Sequence, residues 1–178
     1  VRDTGLPIQV VREFGERLPF ADESFSAVHA RQVLHHAENL DAMASELARV
    51  LKPGGRCLTT RDHVADDDRQ LEAFRNEHPL HNLYGGEHAY PVVRYRSAFE
   101  KAGLRVLQSW GPIESILNFF PATEHERQIT IRKVANQSCL QYGRWLAWSN
   151  AFRETQLRRH TQNDKTPGRI YSFLLERP

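Results

Sequence analysis

At 178 residues, 40% hydrophobic and 10% aromatic, the chain has material for one domain with a buried core. A formal charge of +2 is too small to argue for nucleic acid as the main partner, and two cysteines, Cys57 and Cys139, offer neither a disulfide framework nor a metal-ligand spacing. No apolar run approaches the roughly 20 residues of a membrane span and no basic-then-apolar leader opens the chain, so composition points to a soluble cytoplasmic protein with reduced thiols.

Ile8, Val10 and Val11 follow a Gly-Leu-Pro connection and predict a strand. The turn-rich Ala-Asp-Glu-Ser at 21–24 leads into a second short strand over 26–30. Leu40, Met43, Ala44, Leu47, Val50 and Leu51 then recur at helical spacing, so one apolar stripe marks a helix of about three turns. Asn39 is its expected N-cap and Asp41 favours its dipole, while Lys52-Pro53-Gly54-Gly55 should stop the helix and reverse the chain before a strand begins at Cys57. Residues 61–91 are longer than a simple connection. Within them Asp66 or Asp67 caps a short helix carrying Leu71 and Phe74, and LHNLYGGEHAY reads as a glycine-turned loop rich in histidine and aromatics. A helix over 92–102, a strand over 104–110, a long helical stretch to about His160 and a closing strand in GRIYSFLLERP complete the order; the closing strand is apolar on both faces, as in a sheet interior.

LPFADESF, the following VLHH, and ELARVLKPGG together resemble the second half of a class I S-adenosylmethionine-dependent methyltransferase, most closely the type 11 group that includes ubiquinone and menaquinone biosynthesis enzymes. The resemblance implies an α/β fold with a Rossmann-like sheet in the strand order 3-2-1-4-5-7-6. No glycine-rich turn precedes Ile8, so the chain reads as opening in mid-architecture, N-terminally incomplete, with helical insertions at 61–91 over the active site and at 112–166 as a cap. In that order the strand over 26–30 would be left as an exposed edge. The expected outcome is a reduced sheet with a loose N-terminal arm, or a homodimer through the exposed edge or the helical cap.

The resemblance also implies S-adenosylmethionine as cofactor, lying across the carboxyl ends of the strands and held by Phe14, Gly15 and Glu16 after one strand and by Arg31 and Gln32 after the next. Phe14 stands where the family usually has an Asp, so Glu13 or Glu16 must substitute, or affinity is reduced. Because the sulfonium methyl is already activated, the protein mainly orients the acceptor; a base is required only for a hydroxyl or protonated amine. His63, just beyond a strand's carboxyl end, is the first candidate base and His81 the second. His36, His78, Tyr84, Glu87, Tyr90 and Asn118 are candidate acceptor-binding residues. Adjacent His35 and His36 should point in different directions, and the acids at 66–68 are better explained as a helix cap, so no metal site is expected.

The expected reaction is methyl transfer to a small-molecule or glycan-linked acceptor. Two alternatives stand beside it: a non-catalytic methyltransferase-like interaction module using the open sheet edge, and RNA methylation using the basic residues between Glu124 and His160.

Overall fold

The computed structural model describes residues 8–142 and 149–178, without the side chains of residues 79, 80, 84 and 138–142. Trp145 and Trp148 of the basic stretch therefore lie outside the described residues. Four strands, β1 (Phe25–Arg31), β2 (Leu51–Val64), β3 (Arg105–Trp110) and β4 (Arg169–Glu176), form one sheet in the order β1-β2-β4-β3. β1 and β2 are parallel, while β4 runs antiparallel to both β2 and β3. This is the 4-5-7-6 part of the strand order that the sequence implied.

The helix α1 (Leu40–Val50) forms where the periodicity places it, with the Asn39 side chain accepting the Ala42 N–H at 3.0 Å. Its apolar stripe, Leu40, Met43, Ala44, Leu47 and Ala48, is buried against the sheet with Tyr95, Ala98 and Phe99 of α4 (Val92–Lys101). Opposite them Phe173 of β4 is fully buried and touches the rings of Tyr95, Phe99 and Tyr171. The alternation of the closing strand, apolar on both faces, is thus the signature of its interior place.

Two expectations about boundaries are corrected. Ile8, Val10 and Val11 form no strand; they lie exposed and without regular structure, because among the described residues β1 pairs only with β2 and no strand stands beside 8–11. β2 begins at Leu51, directly after α1, and Lys52-Pro53-Gly54-Gly55 is a bulge within it rather than a turn before it. Gly54, at φ +74°, donates to the Arg177 carbonyl and Arg177 donates back to Gly55, so the glycines give the bulge its backbone path and its own pairing.

Between β2 and α4 the chain makes α2 (Asp68–Glu77), capped by Asp67, and α3 (Pro79–Tyr84). The segment read from sequence as a loop is therefore helical in its first half. Asp66, set aside as a metal ligand, ion-pairs with Lys165 and Arg169. Beyond β3 come α5 (Ile116–Phe119), α6 (Glu124–Tyr142) and α7 (Asn150–Asn163), which form the helical segment before β4. Among the described residues no helix is long and apolar enough to cross a membrane.

Candidate active site

The carboxyl ends of β1 and β2 meet at one edge of the sheet, with Arg31 paired to Thr60. A 3-10 turn at Leu34–His36 follows β1. In β2 the register slips between Thr59 and Asp62, where Arg61 adopts φ +62°. That bulge re-aims Asp62 into the interior, fully buried, while His63 follows it into the same region. Asp62 Oδ1 accepts the Leu34 N–H at 2.9 Å and lies 3.1 Å from His35 Nδ1, so it fixes the turn that carries the two histidines.

A third segment, Gly85 to Tyr90, brings Glu87 down onto this turn. Its backbone is pinned by His88 N–H to the His35 carbonyl at 2.8 Å, by Ala65 N–H to the Ala89 carbonyl at 3.0 Å and by Arg75 Nε to the Glu87 carbonyl at 2.7 Å. The Glu87 side chain is 1% exposed, and three imidazoles surround its carboxylate. His35 Nε2 stands 3.4 Å from Oε2, and His36 Nδ1 and His78 Nδ1 stand 3.7 and 3.5 Å from Oε1. His63 completes the group: its ring lies 4.7 Å from His35 and 5.4 Å from His78.

Burial governs the protonation of His35, His63 and Asp62. It pushes His35 and His63 down to about 4, so both imidazoles are neutral near pH 7. It pushes the Asp62 carboxyl up to about 7, against the backbone N–H groups of residues 33–35 that favour its charged form. His63 Nδ1 donates to the Gly168 carbonyl at 2.7 Å, which leaves the lone pair on Nε2.

On the other side of the turn lies a groove of about 760 Å³ along the free side of β1, lined among others by Glu13, Phe14, Gly15, Glu16, Arg31 and His36. Four of the five residues expected to hold the cofactor thus share one wall. Gln32 is not among the lining residues; at φ +52° its N–H donates to the Thr60 carbonyl and ties β1 to β2. Phe14 is 80% exposed and presents its ring to the groove, while Glu16 Oε1 accepts the Glu38 N–H and anchors the arm to the start of α1.

The expected acceptor residues separate. His36, His78 and Glu87 converge. His81 makes no ion pair with Glu87; its Nδ1 is buried with no hydrogen-bond partner among the described residues. Tyr84 closes α3, its side chain outside the described residues. The Tyr90 hydroxyl donates to the Ala37 carbonyl at 2.6 Å. Buried Asn118 donates to the Trp110 and Gly111 carbonyls at 2.9 Å and accepts from Ser172 at 2.5 Å, so its polar atoms are engaged in joining α5 to the sheet. His35 and His36 do not diverge as expected: their rings lie 4.2 Å apart, because the tight turn and Glu87 bring both nitrogens to one carboxylate. Sequence reading passed over Asp62 and placed His35 only as half of a pair that packs or caps, or of which one member lines the acceptor pocket. The pairing of an acid with His63 at a strand end was the available signal, and strand alternation, which the bulge breaks, argued against it.

The comparisons with known proteins agree with this geometry. A family model described as a methyltransferase domain, of type 11, matches residues 1–59. The uncharacterized methyltransferase YcgJ of Bacillus subtilis (strain 168) is 43% identical over 61 residues, covering 34% of this chain and 24% of that protein. Methyltransferase GfsG of Streptomyces halstedii is 34% identical over 113 residues, covering 61% and 39%. Among solved structures, geranyl diphosphate C-methyltransferase from Streptomyces coelicolor A3(2) superposes with a TM-score of 0.54 at 12% identity, over 92% of this chain and 51% of that one; this likeness is one of fold alone. The sheet order and the switch-point groove define a Rossmann-like methyltransferase fold. Over residues 1–59 the chain is similar to methyltransferase domains of type 11, a class I S-adenosylmethionine-dependent group. It spans well under half the length of these two relatives.

Proposed function

We propose that the chain carries the acceptor side of an S-adenosylmethionine-dependent methyltransferase acting on a small-molecule or glycan-linked acceptor. The observation that carries this reading is that His36 lines the groove beside β1 and also faces Glu87, so one side chain borders both the donor groove and the histidine pocket.

The groove fits the donor's chemistry. Phe14 offers an exposed ring face for an adenine, and Glu13 and Glu16 supply carboxylates in place of the family's Asp. When bound, S-adenosylmethionine supplies an activated methyl on a sulfonium. The chain's own residues orient the acceptor and exclude water, and proximity carries most of the barrier reduction. His63, neutral with Nε2 free, accepts a hydrogen bond from the acceptor's O–H or N–H; with its proton affinity depressed, it acts by orienting the acceptor.

The test is calorimetric titration of S-adenosylmethionine into the 178-residue chain and into a version extended upstream, each with Ala27→Trp to fill the groove. Binding abolished by Ala27→Trp is expected. Folded protein that gives no heat in either version would overturn the reading.

A second reading, an interaction module, is favoured by one observation: among the described residues the open side of β1 has no partner strand and presents Ala27 and Phe14 to solvent. That edge would serve a homodimer or another chain.

A further inference from the structure

A buried carboxylate ringed by imidazole nitrogens, with no Arg or Lys paired to it among the described residues, is an arrangement of metal-ligand types. Glu87 is 1% exposed, its Oε2 has no hydrogen-bond partner among the described residues, and neither Arg nor Lys among them pairs with it. His78 Nδ1, facing Glu87 Oε1, is likewise buried without a hydrogen bond. Leaving such a group unpaired in the interior is unfavourable, so the cluster asks for a cation.

We propose that His35, His36 and Glu87 form a site for a divalent transition-metal ion of the zinc class, with His78 packed beside the carboxylate. Donor atoms of His35, His36 and Glu87 all lie within 4.8 Å of one another. In a tetrahedral site with bonds of about 2.0–2.1 Å, neighbouring donors are separated by about 3.3–3.5 Å. His35 Nε2 to Glu87 Oε2, at 3.4 Å, matches that edge, and His36 Nδ1 to the other carboxylate oxygen, at 3.7 Å, is close to it. His36 Nδ1 also lies 3.1 Å from the Gly86 carbonyl and would exchange that hydrogen bond for the ion.

The support behind the ligands has the form that metal-binding histidines require. Asp62 receives the His35 Nδ1 proton, which turns the Nε2 lone pair toward Glu87. Two imidazoles and one carboxylate select zinc-like ions over magnesium or calcium, which prefer oxygen-only sites. The ligands come from the turn after β1 and from the 85–90 loop, so the ion would fasten these two segments at the sheet's carboxyl edge. His36, whose side chain is 45% exposed, marks where an exchangeable ligand could enter. Metal binding does not depend on the methyl-transfer reading, and its test has no activity readout.

The untagged 178-residue chain is titrated with Zn²⁺ by calorimetry and with Co²⁺ by visible absorption. One equivalent bound, with a ligand-field band and a raised melting temperature, is expected. His36→Ala and Glu87→Gln should each weaken binding at least 10-fold, with circular dichroism unchanged for the exposed His36 position. No stoichiometric binding by the wild-type chain, or binding untouched by both substitutions, would overturn the site.

Discussion

Asp62 Oδ1 and His35 Nδ1 face each other at 3.1 Å with both side chains sealed from solvent, and the same oxygen holds the Leu34 N–H. One carboxylate therefore fixes both the turn after β1 and the tautomer of the imidazole it carries. Replacing Asp62 with Ala strands two buried donors. The expected loss is about 1–3 kcal/mol for each donor left without an acceptor, read from urea unfolding. Asp62→Asn keeps the acceptor oxygen and should recover part of that loss. In nitrogen NMR, His35 should carry its proton on Nδ1 in the wild type and shift toward Nε2 in Asp62→Ala. An unchanged tautomer would mean that Asp62 does not orient the ring.

The same burial sets a pH dependence. In the unfolded chain His35 and His63 take up protons near the ordinary value of 6.5, whereas in the folded chain they do so only near 4. Between these values the unfolded state holds more protons, so the contribution to stability is complete above pH 6.5 and is lost as pH falls toward 4. Asp62 acts in the opposite sense: its folded value near 7, raised from 3.8, leaves the folded state holding an extra proton across most of this window. Two histidines against one carboxylate leave about one proton, or ~1.4 kcal/mol per pH unit in mid-window. Urea midpoints measured from about pH 7 down to about pH 4.5 should fall along that slope, and His63→Gln should flatten it. A flat wild-type profile would show that the folded histidines are already charged.

Much of the fold was legible because its signals are local. The α1 stripe, the Asn39 and Asp67 caps and the two-faced apolar run of β4 depend on side-chain type and spacing, and each formed as read. What was not legible depended on neighbours. The run Ile8, Val10, Val11 has strand composition, yet strands exist only by pairing, and among the described residues no strand stands beside it. The glycines at Gly54 and Gly55 signal a turn equally well whether the chain reverses or bulges; pairing with Arg177, 122 or more residues away, decides it. The site follows the same rule: His36, His78 and Glu87 were picked out by type, but their convergence needed the Arg61 bulge and the pinned 85–90 loop.

The core offers a direct check of the sheet order. Phe173 sits between Tyr95 and Phe99 with ring centroids 5.9 and 5.4 Å away, and it is fully buried. Phe173→Ala removes that ring from the face that α1 and α4 cover. The expected loss is about 3–5 kcal/mol, measured by chemical denaturation. Phe152, only half-buried on α7, should tolerate the same change with a much smaller loss. Similar losses at the two positions would contradict the assignment of β4 to the sheet interior.

Gly168 links the core to the site. It adopts φ +70°, a conformation that side chains other than glycine rarely take, and an added Cβ would run into the Phe74 ring. Its carbonyl accepts the His63 Nδ1 proton at 2.7 Å and its N–H donates to the Val64 carbonyl at 3.0 Å. Gly168→Ala must therefore move the backbone or displace Phe74, whose ring packs on both His63 and His78. The backbone strain alone is expected to cost about 1 kcal/mol, and the clash adds to it. The consequence separates this change from an ordinary core defect. The Gly168 hydrogen bond itself raises the proton affinity of His63, but burial is the larger effect and holds it down. Water entering beside the freed ring should therefore raise its NMR titration from about 4 toward the ordinary 6.5. Phe74→Leu, which opens room beside Gly168 without touching its carbonyl, should lower stability while leaving the His63 proton on Nδ1. If Gly168→Ala destabilised the fold but left the His63 titration where it was, the hydrogen bond would not be what holds the imidazole in place.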